Sequence, residues 1–183
     1  MSVRATFHQS LQMLQDEMLV LASMADKAVG RSVEALKERD LEAARRIIAD
    51  DTEIDQKRYD IEEQAIHLIA TQQPMARDLR TIVAILNIIV DLERIGDYAE
   101  GIAKIVLLLG DQPPLKRLID IPRMADQARD MLRRSLDAFI ARDSEMAKRI
   151  ADEDDEVDAL HDQVYRELLT FMIEDPQTVT RAT

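Results

Sequence analysis

Glu93, Asp97 and Glu100 are the residues of this 183-residue chain whose type and spacing speak most directly of chemistry. At about 100° per residue, a helix would bring the three within roughly 60° of one another on one face. Carboxylates at i and i+4 repel each other, and the only basic residue on that stripe is Lys104, one turn beyond Glu100. Such a face suits a cation. Among the other i, i+4 acidic pairs are Asp51 with Asp55 and Asp154 with Asp158. Gly96 interrupts the stripe at a position where glycine costs a helix interior about 1 kcal/mol relative to alanine. That cost implies close approach by a neighbouring helix, an ion or a partner.

The elements that must position these groups are helices. Leu79, Ile82, Leu86 and Ile89 form one apolar seam, and Ile88, Leu92, Ile95, Ala99 and Ile102 another, so the spacing predicts one helix ending near Gly110. A first helix is predicted over residues 6–38, where apolar residues keep steps of three and four from Phe7 to Leu36. Arg39-Asp40 supplies an N-cap for a second helix, which runs to about Thr71 and is ended by Gln73-Pro74. Only 4 glycines and 5 prolines interrupt the chain, as expected of an all-α protein. Three long helices joined by short turns make an up-down-up bundle over residues 1–110.

After a linker at residues 111–121 the pattern starts again. At an offset of 103 residues, Ser32 matches Ser135, Arg39-Asp40 matches Arg142-Asp143, Ala44 matches Ala147, and Arg46-Ile47 matches Arg149-Ile150. The same offset pairs Asp51 with Asp154, Glu53 with Glu156 and Asp55 with Asp158. This is an internal duplication, so the expected architecture is two tandem up-down three-helix bundles. Residues 122–183 form the second copy, which is expected to stop short of its third helix. A second bundle so shortened would leave apolar surface on its helices, which favours pairing of two copies of the chain.

The turn at Pro74 also sets heights along the bundle. Asp55 and Glu93 each stand 19 residues from it, and Asp51 and Asp97 each stand 23. If they point the same way, four carboxylates meet across two antiparallel helices. Oxygen-only ligands and the absence of cysteine favour Mg²⁺, Mn²⁺, Ca²⁺ or iron, with Zn²⁺ less suited. Spacing alone leaves open the alternative that these are solvated carboxylates of an acidic helix surface.

Composition excludes several classes. A net charge of −12 opposes binding to nucleic acid or to an anionic membrane. The longest hydrophobic stretch, Thr81 to Leu92, is interrupted by Asn87 and Asp91 and is too short to span a bilayer, which needs about 20 apolar residues. There is no P-loop, glycine-rich phosphate cradle or nucleophile elbow, so no enzyme is expected. His67 follows Glu63 and His161 follows Asp158, which raises a di-metal oxidase or a metal-storage bundle as the alternative function. An oxidase of that kind needs Glu-x-x-His on two helices, and only Asp158-x-x-His161 approaches it.

The run Leu92-Glu-Arg-Ile-Gly-Asp97, with Tyr98-Ala99 and Ile102-Ala103 following and the duplicated acidic pairs, resembles the PhoU family of phosphate-signalling proteins. That resemblance implies two tandem three-helix bundles and metal clusters held in some members by acidic motifs. By position, Glu93 and Asp97 match the signature, and Asp51/Asp55 and Asp154/Asp158 resemble the accompanying pairs. The metal so implied is a divalent ion or iron (Fe, Mn, Mg or Zn). The resemblance further implies a cytoplasmic adaptor, peripheral to the inner membrane through its protein partners. It would couple the ATPase subunit of the phosphate ABC transporter to the phosphate-sensing histidine kinase and repress the phosphate-starvation response. A homodimer is expected, with no nucleic-acid partner and no membrane insertion.

Overall fold

A computed structural model describes residues 3–182, with side chains from residue 6 onward. Every regular element among them is helical. The first bundle consists of α1 (Val3–Glu38), α2 (Leu41–Gln72) and α3 (Ala76–Leu109), close to the predicted boundaries. Asp40 caps α2 by accepting a hydrogen bond from the Ala43 N–H at 2.9 Å. Gln73, in the left-handed region at φ 46°, ends α2 by donating its N–H to the Ile69 carbonyl at 3.1 Å, and Pro74 prevents continuation.

Leu14, Met18 and Leu21 of α1, Ile54 and Ile61 of α2, and Ile82, Ile85, Ile89 and Leu92 of α3 form the main core. A smaller core of Ala35, Ala44, Ile47, Ala103 and Val106 closes the end of the bundle near the α1–α2 turn. Hydrophobic burial along these three seams holds the long helices rigid, and the acidic stripe inherits that rigidity.

The second segment comprises α4 (Asp120–Ala141), α5 (Ser144–Asp152), α6 (Asp154–Glu174), a 3₁₀ turn (Pro176–Thr178) and α7 (Val179–Ala182). The duplication read from the sequence extends to individual hydrogen bonds. Arg39 and Arg142 share a φ of 58°. Asp143 accepts from the Met146 N–H at 2.8 Å, as Asp40 does from Ala43. The Asp40 and Asp143 N–H groups donate back to the carbonyls of Ala35 at 3.0 Å and Ala138 at 2.9 Å. An inter-helix ion pair repeats too, Arg31 with Asp50 at 2.7 Å in the first copy and Arg134 with Glu153 in the second.

One departure lies in the middle of the second copy. Where α2 is continuous through Asp50 and Asp51, the matching stretch breaks at Glu153 into α5 and α6. Five consecutive carboxylates, Asp152 to Glu156, crowd this point. The break places Asp154, Asp155 and Glu156 in the first turn of α6, where the helix dipole favours negative charge.

The two segments are tied together along α1 and α4. Leu136 is buried in the main core, with Leu132 and Phe139 packed against it. Arg129 donates from Nε and Nη2 to the two carboxylate oxygens of Asp26 at 2.9 and 3.0 Å. Gly30 makes room for this fork, since a Cβ there would lie 3.0 Å from the Arg129 Cζ. The linker is anchored as well: Arg39 donates to the Asp111 carbonyl at 3.1 Å, Lys116 pairs with Asp120 and Glu167, and Arg181 donates to the Pro113 carbonyl. Apolar side chains are exposed on the second segment, Tyr165 and Ile173 among them, but equally on the first at Met75 and Leu108.

Candidate metal site

The α2–α3 contact that builds the site is made at Gly96. A Cβ at that position would lie 3.0 Å from both the Cδ1 and the Cγ2 of Ile54 and 3.3 Å from an Asp51 carboxylate oxygen. Of the readings that glycine allowed, close approach by a neighbouring helix is the one observed. The bare Cα lets α2 bring its acidic face against α3, one residue from Asp97.

Asp51, Asp55 and Asp97 each offer one carboxylate oxygen, and these three oxygens lie within 4.8 Å of one another. Asp51 and Asp55 are half-buried and Asp97 is exposed, so the cluster opens to solvent on the α3 side. None of the three has an ion-pair partner among the described residues. The electrostatic consequence falls on Asp51, whose pKa is pushed up to about 6. Burial contributes most, followed by the negative charges of Asp55, Glu100 and Asp97, while Lys104 opposes them.

Glu93 stands at the rim of this field rather than inside the triad. Its pKa is raised by burial and then by Asp97 and Asp55, whereas Arg58 and Arg94 pull it down. Arg58 itself pairs with Glu62 at 2.8 Å and lies over the Tyr59 ring at 4.7 Å. Glu100 was on the predicted stripe but not among the candidate ligands, and it contributes directly to the potential at Asp51 while bonding Lys104 at 2.5 Å. Its i+3 spacing from Asp97 was the signal for it. Asp154 and Asp158 are both exposed, and among the described residues no third acidic or histidine side chain joins them. His67 and His161 are exposed and stand apart from the triad; His161 lies 3.8 Å from Asp162.

Three unpaired carboxylates whose crowding raises a pKa fit a hard cation, which would supply the missing positive charge and accept oxygen ligands only. Among the described residues no histidine joins the triad, and the one cation acting on Asp51, Lys104, is already bonded to Glu100. The arrangement is suited to holding positive charge.

The model of the PhoU domain family matches residues 18–106 and 121–183. The chain belongs to the PhoU family. The two matched segments begin at corresponding positions of the duplication. The family model covers both copies, and the expectation of a second repeat without its third helix is not borne out. A phosphate-specific transport system accessory protein PhoU homolog of Aquifex aeolicus is 38% identical over 174 residues, covering 95% of this chain and 79% of that protein. A homolog of the same description from Rhizobium meliloti is 37% identical over 182 residues, covering 99% of this chain and 77% of that protein. The crystal structure of PhoU from Pseudomonas aeruginosa superposes with a TM-score of 0.89 at 31% identity, covering 96% of this chain and 85% of that one. PhoU proteins are regulatory accessory proteins and not enzymes.

Proposed function

We propose that this chain is an accessory regulator of phosphate uptake. It couples the ATPase subunit of the phosphate ABC transporter to the phosphate-sensing histidine kinase and represses phosphate-starvation genes when phosphate is sufficient. The observation that carries this reading is similarity over nearly the whole chain to proteins described as accessory to the phosphate-specific transport system. No helix among the described residues is long and apolar enough to cross a membrane. On this reading the chain works on the cytoplasmic side and reaches the inner membrane through its partners, as a homodimer.

In the same proposal Asp51, Asp55 and Asp97 hold a divalent cation or iron, with Glu93 and Glu100 flanking it. A cation held there would offset most of the charge of the triad and link α2 to α3 through their own carboxylates. Asp154 and Asp158 occupy the equivalent places in the second copy and are the residues a second cation would use. The alternative of a metal-storage protein or di-metal oxidase has the same triad in its favour, but both histidines stand away from it. Deleting the gene and measuring starvation-gene expression in phosphate-rich medium tests the regulatory reading, which predicts derepression. Elemental analysis of the protein beside an Asp51→Ala/Asp97→Ala variant tests the cation, which the variant should lose. Redox turnover by the loaded protein would favour the alternative.

A further inference from the structure

Arg77 and Arg80 of α3 and Arg142 of the α4–α5 turn line one open cleft of about 480 Å³ between the two segments. In a chain of net charge −12, none of these three guanidinium groups has a hydrogen bond or ion pair among the described residues. Most other arginines among the described residues are occupied, as Arg31 is by Asp50 and Arg129 by Asp26. The one carboxylate in the lining, Asp143, is committed to capping α5 through the Met146 N–H at 2.8 Å. Ser135 and Ser144 add hydroxyl donors, and Phe139 and Ala138 give the cleft an apolar floor. The start of α3 has no side-chain cap, and its first turns, carrying Arg77, Arg80 and Thr81, form one wall.

We infer that this cleft binds a phosphate-class oxyanion. Three forked cations reaching from two elements suit a tetrahedral, multiply charged acceptor better than a single planar carboxylate. The volume lies within the range of about 300–1,000 Å³ of small-molecule sites, so the phosphoryl group can belong to free phosphate or to a phosphorylated small molecule. This site is independent of the carboxylate triad. Along α3 at least 13 residues separate Ala84 from Asp97, or roughly 20 Å at 1.5 Å per residue.

Titration calorimetry of the whole chain tests it, with inorganic phosphate in one arm, ATP in the other, and EDTA present so that no cation bridges from the triad. Saturable one-site binding of at least one probe is expected. Arg77→Gln/Arg80→Gln should weaken it by about tenfold or more for each charge-assisted hydrogen bond lost, while Arg133→Gln on α4 should leave it unchanged. Binding of both probes identifies the phosphoryl group alone as the determinant, and binding of ATP only identifies a phosphorylated organic ligand. Arg142→Gln serves as an independent variant from the other wall should the double variant fold poorly. Absence of binding by both probes, or equal binding by the arginine variants, overturns the inference.

Discussion

Asp51→Asn is the substitution whose effect follows most directly from the geometry. In the folded chain Asp51 keeps its proton up to about pH 6, while the unfolded chain releases it near the ordinary value of 3.8. The folded state therefore has its full advantage from this group below pH 3.8, and that advantage is lost as pH rises through about 6. Unscreened, a shift of that size corresponds to ~3 kcal/mol. Asp51 is only half-buried, and solvent screening brings the expected penalty to about 1 kcal/mol. Asparagine cannot ionise and escapes it. In chelator at pH 7.5, urea or thermal unfolding should find the variant more stable by about 1 kcal/mol, or roughly 2–4 °C in a chain of this size. Near pH 4 the gap should close. With excess Mn²⁺ or Mg²⁺ the order should reverse, because a ligand at about 100 times its Kd stabilises the native state that binds it by ~2.7 kcal/mol. A variant less stable than wild type in chelator, or a gap indifferent to pH, would refute the electrostatic account. An order unchanged by either cation would remove them as occupants.

Gly101→Ala meets nothing within 4 Å and should stabilise α3 by about 0.5–1 kcal/mol, whereas Gly96→Ala presses on Ile54 and Asp51 and should forfeit that gain; thermal melts of the two variants side by side decide it. Asp40→Ala and Asp143→Ala each remove an equivalent helix cap and should each cost about 1 kcal/mol in urea unfolding. Arg129→Ala leaves Asp26 without its bidentate partner at the α1–α4 contact. It should cost about 1–3 kcal/mol and speed proteolysis within the 110–119 connection, and an unchanged cleavage rate would show that the pair does not hold the segments together.

The first bundle was legible because its signals are local. Asp40 as cap, Pro74 as stop and the apolar seams of three helices each act within a few residues of where they stand. The site was legible as far as helix height could carry it, because two straight antiparallel helices keep register from their common turn. That reasoning places Asp51 level with Asp97, as observed, but it says nothing about rotation around the axis. Rotation is what leaves Glu93 at the rim beside Arg58 while Asp55 joins the triad. The repeat predicted the second turn down to its capping bond but projected the continuity of α2 onto a stretch whose five carboxylates break it. Docking of the second segment lay beyond reach. Asp26 and Arg129 occupy equivalent positions of the two copies and meet each other, a relation no helical period encodes. For the same reason the cleft of Arg77, Arg80 and Arg142 emerges only when two segments are placed together.

The claim that this PhoU protein restrains the phosphate-starvation response is tested most directly by transcript levels of starvation genes in phosphate-rich medium, compared between the wild-type strain and one lacking the gene. The account predicts strong derepression in the deleted strain, reversed when the intact gene is restored. Transcript levels indistinguishable between the two strains would contradict it.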